Sequence, residues 1–164
     1  MIRLLALDPG KVTGWSLWAY DPAKKGHALR LNYGLVPDGV QGFITWWNTD
    51  RPIPVSRVVC EKFSLDQRTK SPDLTPTYIE GALLALCSVP ITWQPTSAKR
   101  KVQDAVLKRT PVNGNQVSLW LTGSDKKIRH SDARDVNDSQ IHALAYLKGV
   151  HRPTAEWLFP IPKD

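Results

Sequence analysis

Residues 2–10 read IRLLALDPG, and this stretch decides how the rest of the chain is read. Ile2 to Leu7 is a continuous apolar run broken only by Arg3, and it stops at Asp8-Pro9-Gly10. Such a run closed by turn residues predicts a buried strand followed by a tight turn. Gly14 ends that turn. Residues 15–20 predict a second strand, 21–26 a polar turn and 28–36 a third strand. Three adjacent strands with short connections are most simply an antiparallel meander.

Outward from the meander, helices and strands alternate. Residues 40–47 follow Gly39 and carry Val40, Phe43, Ile44 and Trp47 at helical spacing, which predicts a helix. Residues 56–60 form a short strand that runs into Glu61. Residues 64–76 are polar and charged and read as a loop. A helix is expected over 78–87, with Gly81 and Ala82 as close-packing positions, and a strand over 90–94. Residues 96–109 read as a basic helix and 110–130 largely as loop. A last helix runs from Ser131 or Asp132 to Lys148. The order β-β-β-α-β-α-β-α-α predicts an α/β protein: a five-stranded mixed sheet, the three-strand meander plus two parallel strands, flanked by helices. One domain is expected over 1–148. An irregular tail follows over 149–164, where Pro153, Pro160 and Pro162 fall.

A length of 164 residues leaves room for one domain and excludes two-lobed ATPases and two-domain dehydrogenases. Apolar residues at 41% and charged residues at 23% match a soluble globular domain, which excludes a disordered chain. Lys and Arg number 22 against 15 Asp and Glu, a net charge of +7 that suggests an anionic partner, nucleic acid first. A basic surface serving solubility alone is the competing reading. Cys60 and Cys87 are too few for a disulfide framework and too far apart for a zinc ribbon. Both lie in apolar runs and read as buried thiols of a reducing compartment. The opening residues read as neither a signal peptide nor a membrane span. A soluble, cytoplasmic protein with no membrane partner is expected.

The acids sit in telling places. Asp8 ends the first strand, Glu61 ends the fourth, and Asp132, Asp135 and Asp138 open the last helix. For Asp8 alone, an ordinary Asp-Pro-Gly turn is a sufficient account. As a set the acids say more. If the first and fourth strands are parallel neighbours, Asp8 and Glu61 emerge together at the carboxyl ends, where open α/β sheets bind ligands. Asp135 and Asp138 are three residues apart on one helix face, and His142 follows at i+4 from Asp138. Capping and the helix dipole explain Asp132 well and Asp138 less well, since it is about two turns in. Four converging carboxylates repel unless cations sit between them. Oxygen-only ligands select hard cations, Mg²⁺ with Mn²⁺ as substitute. Two such ions about 3.5–4 Å apart are the usual arrangement for in-line phosphodiester hydrolysis.

Leu5-Ala6-Leu7-Asp8-Pro9-Gly10 with Thr13-Gly14-Trp15 resembles the opening of the RuvC-type Holliday-junction resolvases, especially their small phage and bacterial relatives. Val58-Val59-Cys60-Glu61-Lys62-Phe63 resembles the strand that ends in that family's glutamate. Asp135-Val136-Asn137-Asp138, followed by Ile141-His142-Ala143-Leu144-Ala145, resembles its closing acidic helix. The resemblance spans residues 2–147. It implies an RNase H-like fold, Mg²⁺-dependent nicking of branched DNA such as four-way junctions, and a homodimer that cuts two strands symmetrically. It makes Asp8, Glu61, Asp135 and Asp138 the ligands of two ions. Trp93-Gln94-Pro95-Thr96-Ser97-Ala98-Lys99 resembles the segment that brings a functional lysine to the scissile phosphate, with Lys99 the best match and Lys101 the fallback. The competing reading makes Lys99, Arg100 and Lys101 a solvated basic face. The family's closing acid is usually followed by Ala, whereas Ser139 follows Asp138. Asp132 with Asp135 is a second possible pair, so the register of the last two ligands stays open. His142 has two readings, a neighbour of the metal and a helix-surface histidine, the second slightly preferred.

Basic residues surround the expected centre. Arg68 and Lys70 follow Glu61; Lys99, Arg100, Lys101, Lys108 and Arg109 lie in or near the penultimate helix; Lys126, Lys127, Arg129 and Arg134 precede or open the last one. They are expected to contact phosphates and make binding salt-dependent. Phe63 has two readings, an aromatic that stacks on or wedges apart bases and a core residue. Trp120 is the tryptophan expected to touch DNA. An RNase H-type nuclease, or one acting on flaps or forks, uses the same acids and is the alternative. A nucleotide-binding ATPase would need a second lobe, and nothing in the sequence supports a catalytically silent DNA-binding module.

Overall fold

The computed structural model describes residues 1–24, 28–64, 73–99, 102, 130–152 and 155. Among the described residues, five strands and three long helices follow in order: β1 (Ile2–Asp8), β2 (Thr13–Tyr20), β3 (Ala28–Val36), α1 (Gly39–Thr49), β4 (Arg57–Lys62), α2 (Thr75–Leu86), β5 (Ile91–Pro95) and α3 (His130–Val150). The strands form one sheet in the order β3-β2-β1-β4-β5. β3, β2 and β1 are antiparallel, and β1, β4 and β5 are parallel. This is the mixed sheet expected from the sequence, and β1 and β4 are parallel neighbours.

The apolar run of β1 follows from burial on both sides. Leu4 and Ala6 join one core cluster with Trp18, Val59, Ile141, Leu144 and Leu147, so that face packs against α3. Leu5 and Leu7 join the other with Phe43, Trp47, Val58, Cys60, Ile79 and Leu83, against α1 and α2. Successive side chains of a strand alternate between faces. Asp8 therefore follows Leu4 and Ala6 onto the α3 face, and Glu61 follows Val59 there.

Several boundaries differ from the sequence reading for identifiable reasons. Thr13 and Gly14 belong to β2 rather than to the turn, because Gly14 pairs with Asp8. α2 begins at Thr75, three residues before the expected start. Asp73 Oδ1 accepts the Thr75 backbone N–H at 3.0 Å, and Pro76 stands in the first turn. Those are polar start signals that apolar periodicity does not register. Residues 96–99 are helical directly after β5, while 103–129, most of the expected basic helix and loop, lie outside the described residues. α3 runs two residues past the expected domain boundary, to Val150. Beyond it Ala155 is buried in the α3-side core, and most of the expected tail lies outside the described residues.

α3 is seated on β2 by close contact. A Cβ on Gly14 would stand 2.0 Å from the backbone oxygen of Asp135, so only glycine lets the helix lie this near the strand. One turn further on, Ser139 Oγ lies 3.1 Å from Ser16 Oγ and 2.7 Å from the Val136 carbonyl oxygen. The Trp18 indole N–H donates to Ser16 at 3.0 Å. Each hydroxyl can donate once along this relay, from Trp18 through Ser16 and Ser139 to Val136, which satisfies every group in a buried setting. This accounts for Ser139 where the family pattern has Ala. Gly14→Ala should force α3 off the sheet and lower stability by roughly 3 kcal/mol, as overpacking at a rigid contact does. Urea unfolding checks it, the midpoint falling at unchanged slope.

Candidate metal centre

The register of the parallel strands builds the centre. Leu7 pairs with Cys60 across β1 and β4, so Asp8 and Glu61, one residue on, stand side by side. Glu61 pairs in turn with Gln94 of β5. Asp8, Glu61 and Gln94 thus form a row at the carboxyl ends of three neighbouring strands, all on the α3 face. α3 supplies Asp138 and, one turn later, His142.

Lys99 lies at the middle of these acids. Its Nζ is 3.2 Å from Asp8 Oδ1, 3.0 Å from Glu61 Oε2 and 2.9 Å from Asp138 Oδ2. The Lys99, Asp8 and Glu61 side chains are each only 14% exposed. Lys99 therefore belongs to the acidic cluster and not to an exposed basic face. Burial pulls its ammonium down, but Asp8, Asp138 and Glu61 outweigh that and raise its pKa well above the ordinary value.

The two strand acids divide their protonation. Burial, then the hydrogen bond to Glu61, pushes the Asp8 carboxyl well above the usual range despite Lys99. Burial also acts on Glu61, but hydrogen bonds from His142, Asp8 and Thr96 and the Lys99 charge hold it well below that range. The two carboxyls are thus driven in opposite directions, Asp8 upward and Glu61 downward. Two carboxylates this close divide in this way because both cannot ionise cheaply.

The structure corrects the reading of His142. It is fully buried, not a surface residue. Its Nε2 is 3.0 Å from Glu61 Oε2 and 3.8 Å from Asp8 Oδ1, and its Nδ1 is 2.9 Å from Gln94 Oε1. α3 is buried almost all round between Ser139 and Leu144, and under its polar side chains the sheet presents Ser16, Gln94 and Glu61. Apolar periodicity cannot reveal a buried polar seam of that kind.

Of the four expected ligands, Asp8, Glu61 and Asp138 converge on one cation. Asp135 lies one turn nearer the helix start, where its backbone packs on Gly14. Asp132 is in the first turn of α3, and its side chain is outside the described residues. The donor set suits a divalent ion. Hard carboxylate oxygens from two strands and a helix already enclose a positive charge, the Lys99 ammonium, and the ligand atoms of Asp8, Glu61 and His142 all lie within 4.8 Å of one another.

Among the expected DNA-contacting residues, Phe63 is described. It is partly exposed, and its backbone N–H donates to Glu80 of α2. It belongs to none of the core clusters of the described residues. Arg68, Lys70, Arg100, Lys101, Lys108, Arg109, Trp120, Lys126, Lys127 and Arg129 lie outside the described residues. Arg134 is exposed on α3. Sequence reasoning missed Lys11, exposed in the turn after Asp8, and Lys62, exposed directly after Glu61. It also gave no role to Gln94 and Thr96, although both lie within the motif that drew attention to Lys99.

No protein-family model matches the sequence, and no curated protein matches it at sequence level. Solved structures do match. The structure of Thermus thermophilus RuvC in complex with Holliday junction substrate aligns at TM-score 0.62 and 15% identity over 94% of this chain and 98% of that one. The complex of Fowlpox virus resolvase with its substrate Holliday junction DNA aligns at TM-score 0.59 and 14% identity over 92% and 99%. The resemblance to RuvC-type resolvases read from the motifs is thus matched by the fold, which is RNase H-like.

Two substitutions test the electrostatics of the metal-free centre. Asp8→Asn should hold or raise thermal stability without divalent ions. An acid whose native pKa is raised costs stability above its unfolded value, and the cost disappears as pH falls to about 3.9. Any gain from Asp8→Asn should therefore be largest near neutrality and fade toward pH 4. Lys99→Met leaves the acids uncompensated and should destabilise by about 3 kcal/mol at neutral pH. Thermal melts from pH 4 to 8 in EDTA read both effects.

Proposed function

We propose that the chain is a divalent-metal-dependent, structure-specific endodeoxyribonuclease that nicks branched DNA, four-way junctions above all, and acts as a homodimer. The observation that carries this reading is the convergence of Asp8, Glu61 and Asp138 on one cation at the ends of two parallel strands. It occurs in a fold shared with two resolvases whose structures contain Holliday junctions.

Asp8, Glu61 and Asp138, with Asp135 on the same helix face one turn earlier, would hold two Mg²⁺ ions, for which Mn²⁺ substitutes. When bound, such ions stabilise the attacking and leaving oxygens of an in-line phosphodiester displacement. The protein's own groups do the rest. Glu61 is ionised and ready to bind a cation, and β1, β4 and α3 hold the acids at fixed separations. Lys99 brings a positive charge to the same point, suited to the charge that develops on the scissile phosphate. Lys11 and Lys62 flank the centre, and with Arg68, Lys70, Arg100, Lys101, Lys126, Lys127 and Arg129 they would track the DNA backbone. Phe63, partly exposed beyond Glu61, suits a base-stacking role at a branch point.

Support for the homodimer comes from α2, whose exposed face presents Tyr78, Gly81, Leu84 and Ala85 without a charge. Among the described residues, nothing lies within 4 Å of a Cβ built on Gly81, which would let a second helix approach closely. The free thiols Cys60 and Cys87 suit a reducing cytoplasm. No helix among the described residues is long and apolar enough to cross a membrane.

Incubation with Mg²⁺ and a panel of four-way junction, flap, duplex and RNA–DNA hybrid substrates tests the reading. Junctions should be nicked in preference to linear duplex, and preferential cutting of hybrids would move the chain to the RNase H-type alternative. Asp8→Asn and Glu61→Gln should abolish cleavage with the fold intact. Lys99→Ala should lower the single-turnover rate on saturated DNA by about 100-fold, as loss of transition-state charge stabilisation does. Its effect on affinity should be much smaller, with the log–log salt slope reduced by about 0.9.

A further inference from the structure

The fourth side chain at the centre is a histidine that the metal-ligand pattern of acids does not include. We infer that His142 Nε2 is a ligand of the ion bound between Asp8 and Glu61, so that this chain builds a mixed nitrogen–oxygen site favouring Mn²⁺ over Mg²⁺. The inference rests on the reading that the centre binds a divalent ion, and deepens it.

Position is the first argument. An octahedral ion with bonds of about 2.1 Å separates adjacent ligand atoms by roughly 3.0 Å and opposite ones by roughly 4.2 Å. Nε2 stands 3.0 Å from Glu61 Oε2 and 3.8 Å from Asp8 Oδ1, inside those limits. The same two oxygen atoms carry the Lys99 ammonium, so the point where a cation settles is already marked, and His142 borders it.

Orientation is the second. A ligating histidine normally has its other ring nitrogen held by a hydrogen bond, which fixes the ring and the tautomer. Gln94 does this at 2.9 Å from Nδ1, itself buried at the end of β5. An amide can serve either tautomer by turning over, because it accepts at one end and donates at the other. With the proton on Nε2, that nitrogen donates to Glu61 Oε2 and the Gln94 amide turns its NH₂ to Nδ1. With the proton on Nδ1 and the Gln94 oxygen accepting it, Nε2 offers its lone pair where Asp8 and Glu61 offer theirs. The exchange moves one proton from Nε2 to Nδ1 and leaves the charge of the ring unchanged.

Donor chemistry is the third. Imidazole nitrogen is a softer donor than carboxylate oxygen, and transition ions accept it more readily than Mg²⁺, which suits oxygen ligands and water. Asp138 and His142 lie four residues apart on one helix face. The last helix therefore adds a nitrogen donor to the carboxylates that the sequence pattern suggested.

Pulsed EPR of Mn²⁺ added to the full chain tests this independently of cleavage. Electron spin-echo modulation from directly bound ¹⁴N is expected in the wild type, and should change to the ¹⁵N pattern when histidine is supplied as ¹⁵N-histidine. His142→Asp should keep Mn²⁺ and lose the modulation, and its preference for Mn²⁺ over Mg²⁺ should narrow about tenfold. Gln94→Leu should weaken Mn²⁺ binding by about 10- to 100-fold, as loss of a ligand's supporting hydrogen bond does. Should His142→Asp not fold, a chain with His27→Gln, His130→Gln and His151→Gln keeps His142 as its only histidine and should retain the modulation. Bound Mn²⁺ without nitrogen modulation overturns the inference and leaves the metal-dependent reading standing. Modulation that persists in His142→Asp, or is lost when the other three histidines are replaced, also overturns it. A wild type that binds no Mn²⁺ overturns both.

Discussion

Three carboxylates held within reach of one point repel one another, and the far end of the sheet is organised around that repulsion. Asp8 and Glu61 cannot separate, because the parallel register of β1 and β4 sets them side by side. Asp138 cannot retreat while α3 lies on Gly14 and on the Ser16–Ser139 pair. What relieves the repulsion is the positive charge of Lys99, placed between all three. Mostly withdrawn from water, these interactions are stronger than a surface ion pair would be, and their loss correspondingly more costly. The centre can therefore stay folded without a divalent ion while remaining electrostatically suited to one.

Much of this was legible in the sequence because it rests on local signals. The apolar run before Asp8 announces a strand buried on both faces, and the run before Glu61 another. Spacing alone places Asp135 and Asp138 on one helix face. Once β1 and β4 are parallel neighbours, the meeting of Asp8 and Glu61 follows from alternation along the strands. The family motifs point to the same fold that the solved structures share.

What was not legible depends on polar matching between elements far apart in the chain. Gln140 is buried and bonded to Arg30 of β3 at 2.8 Å, yet nothing in the sequence near either residue announces the pair. Ser139 looked like a departure from pattern until Ser16 and Trp18 were found beneath it. His142 looked like a surface residue because a polar side chain on a helix is usually solvated, and only the Glu61–Gln94 pairing of β4 and β5 creates a buried place for it. A buried polar group is affordable only with its partner present. Sequence periodicity reports hydrophobicity and not partnership, so such residues are systematically misread.

The position of Lys99 also constrains how the centre can change state. Its ammonium touches Asp8 Oδ1 and Glu61 Oε2, and one oxygen-lined position cannot hold that ammonium and a divalent ion together. An ion at that point would displace the Lys99 ammonium. The lysine sits on residues 96–99, the helical start directly after β5, and so is tethered beside the centre even when its head group is displaced. A displaced ammonium remains within a side-chain length of the acids. A tethered cation that yields its place to an ion gives the centre a counter-charge in one state and a nearby positive charge in the other, from a single residue and without any change of fold.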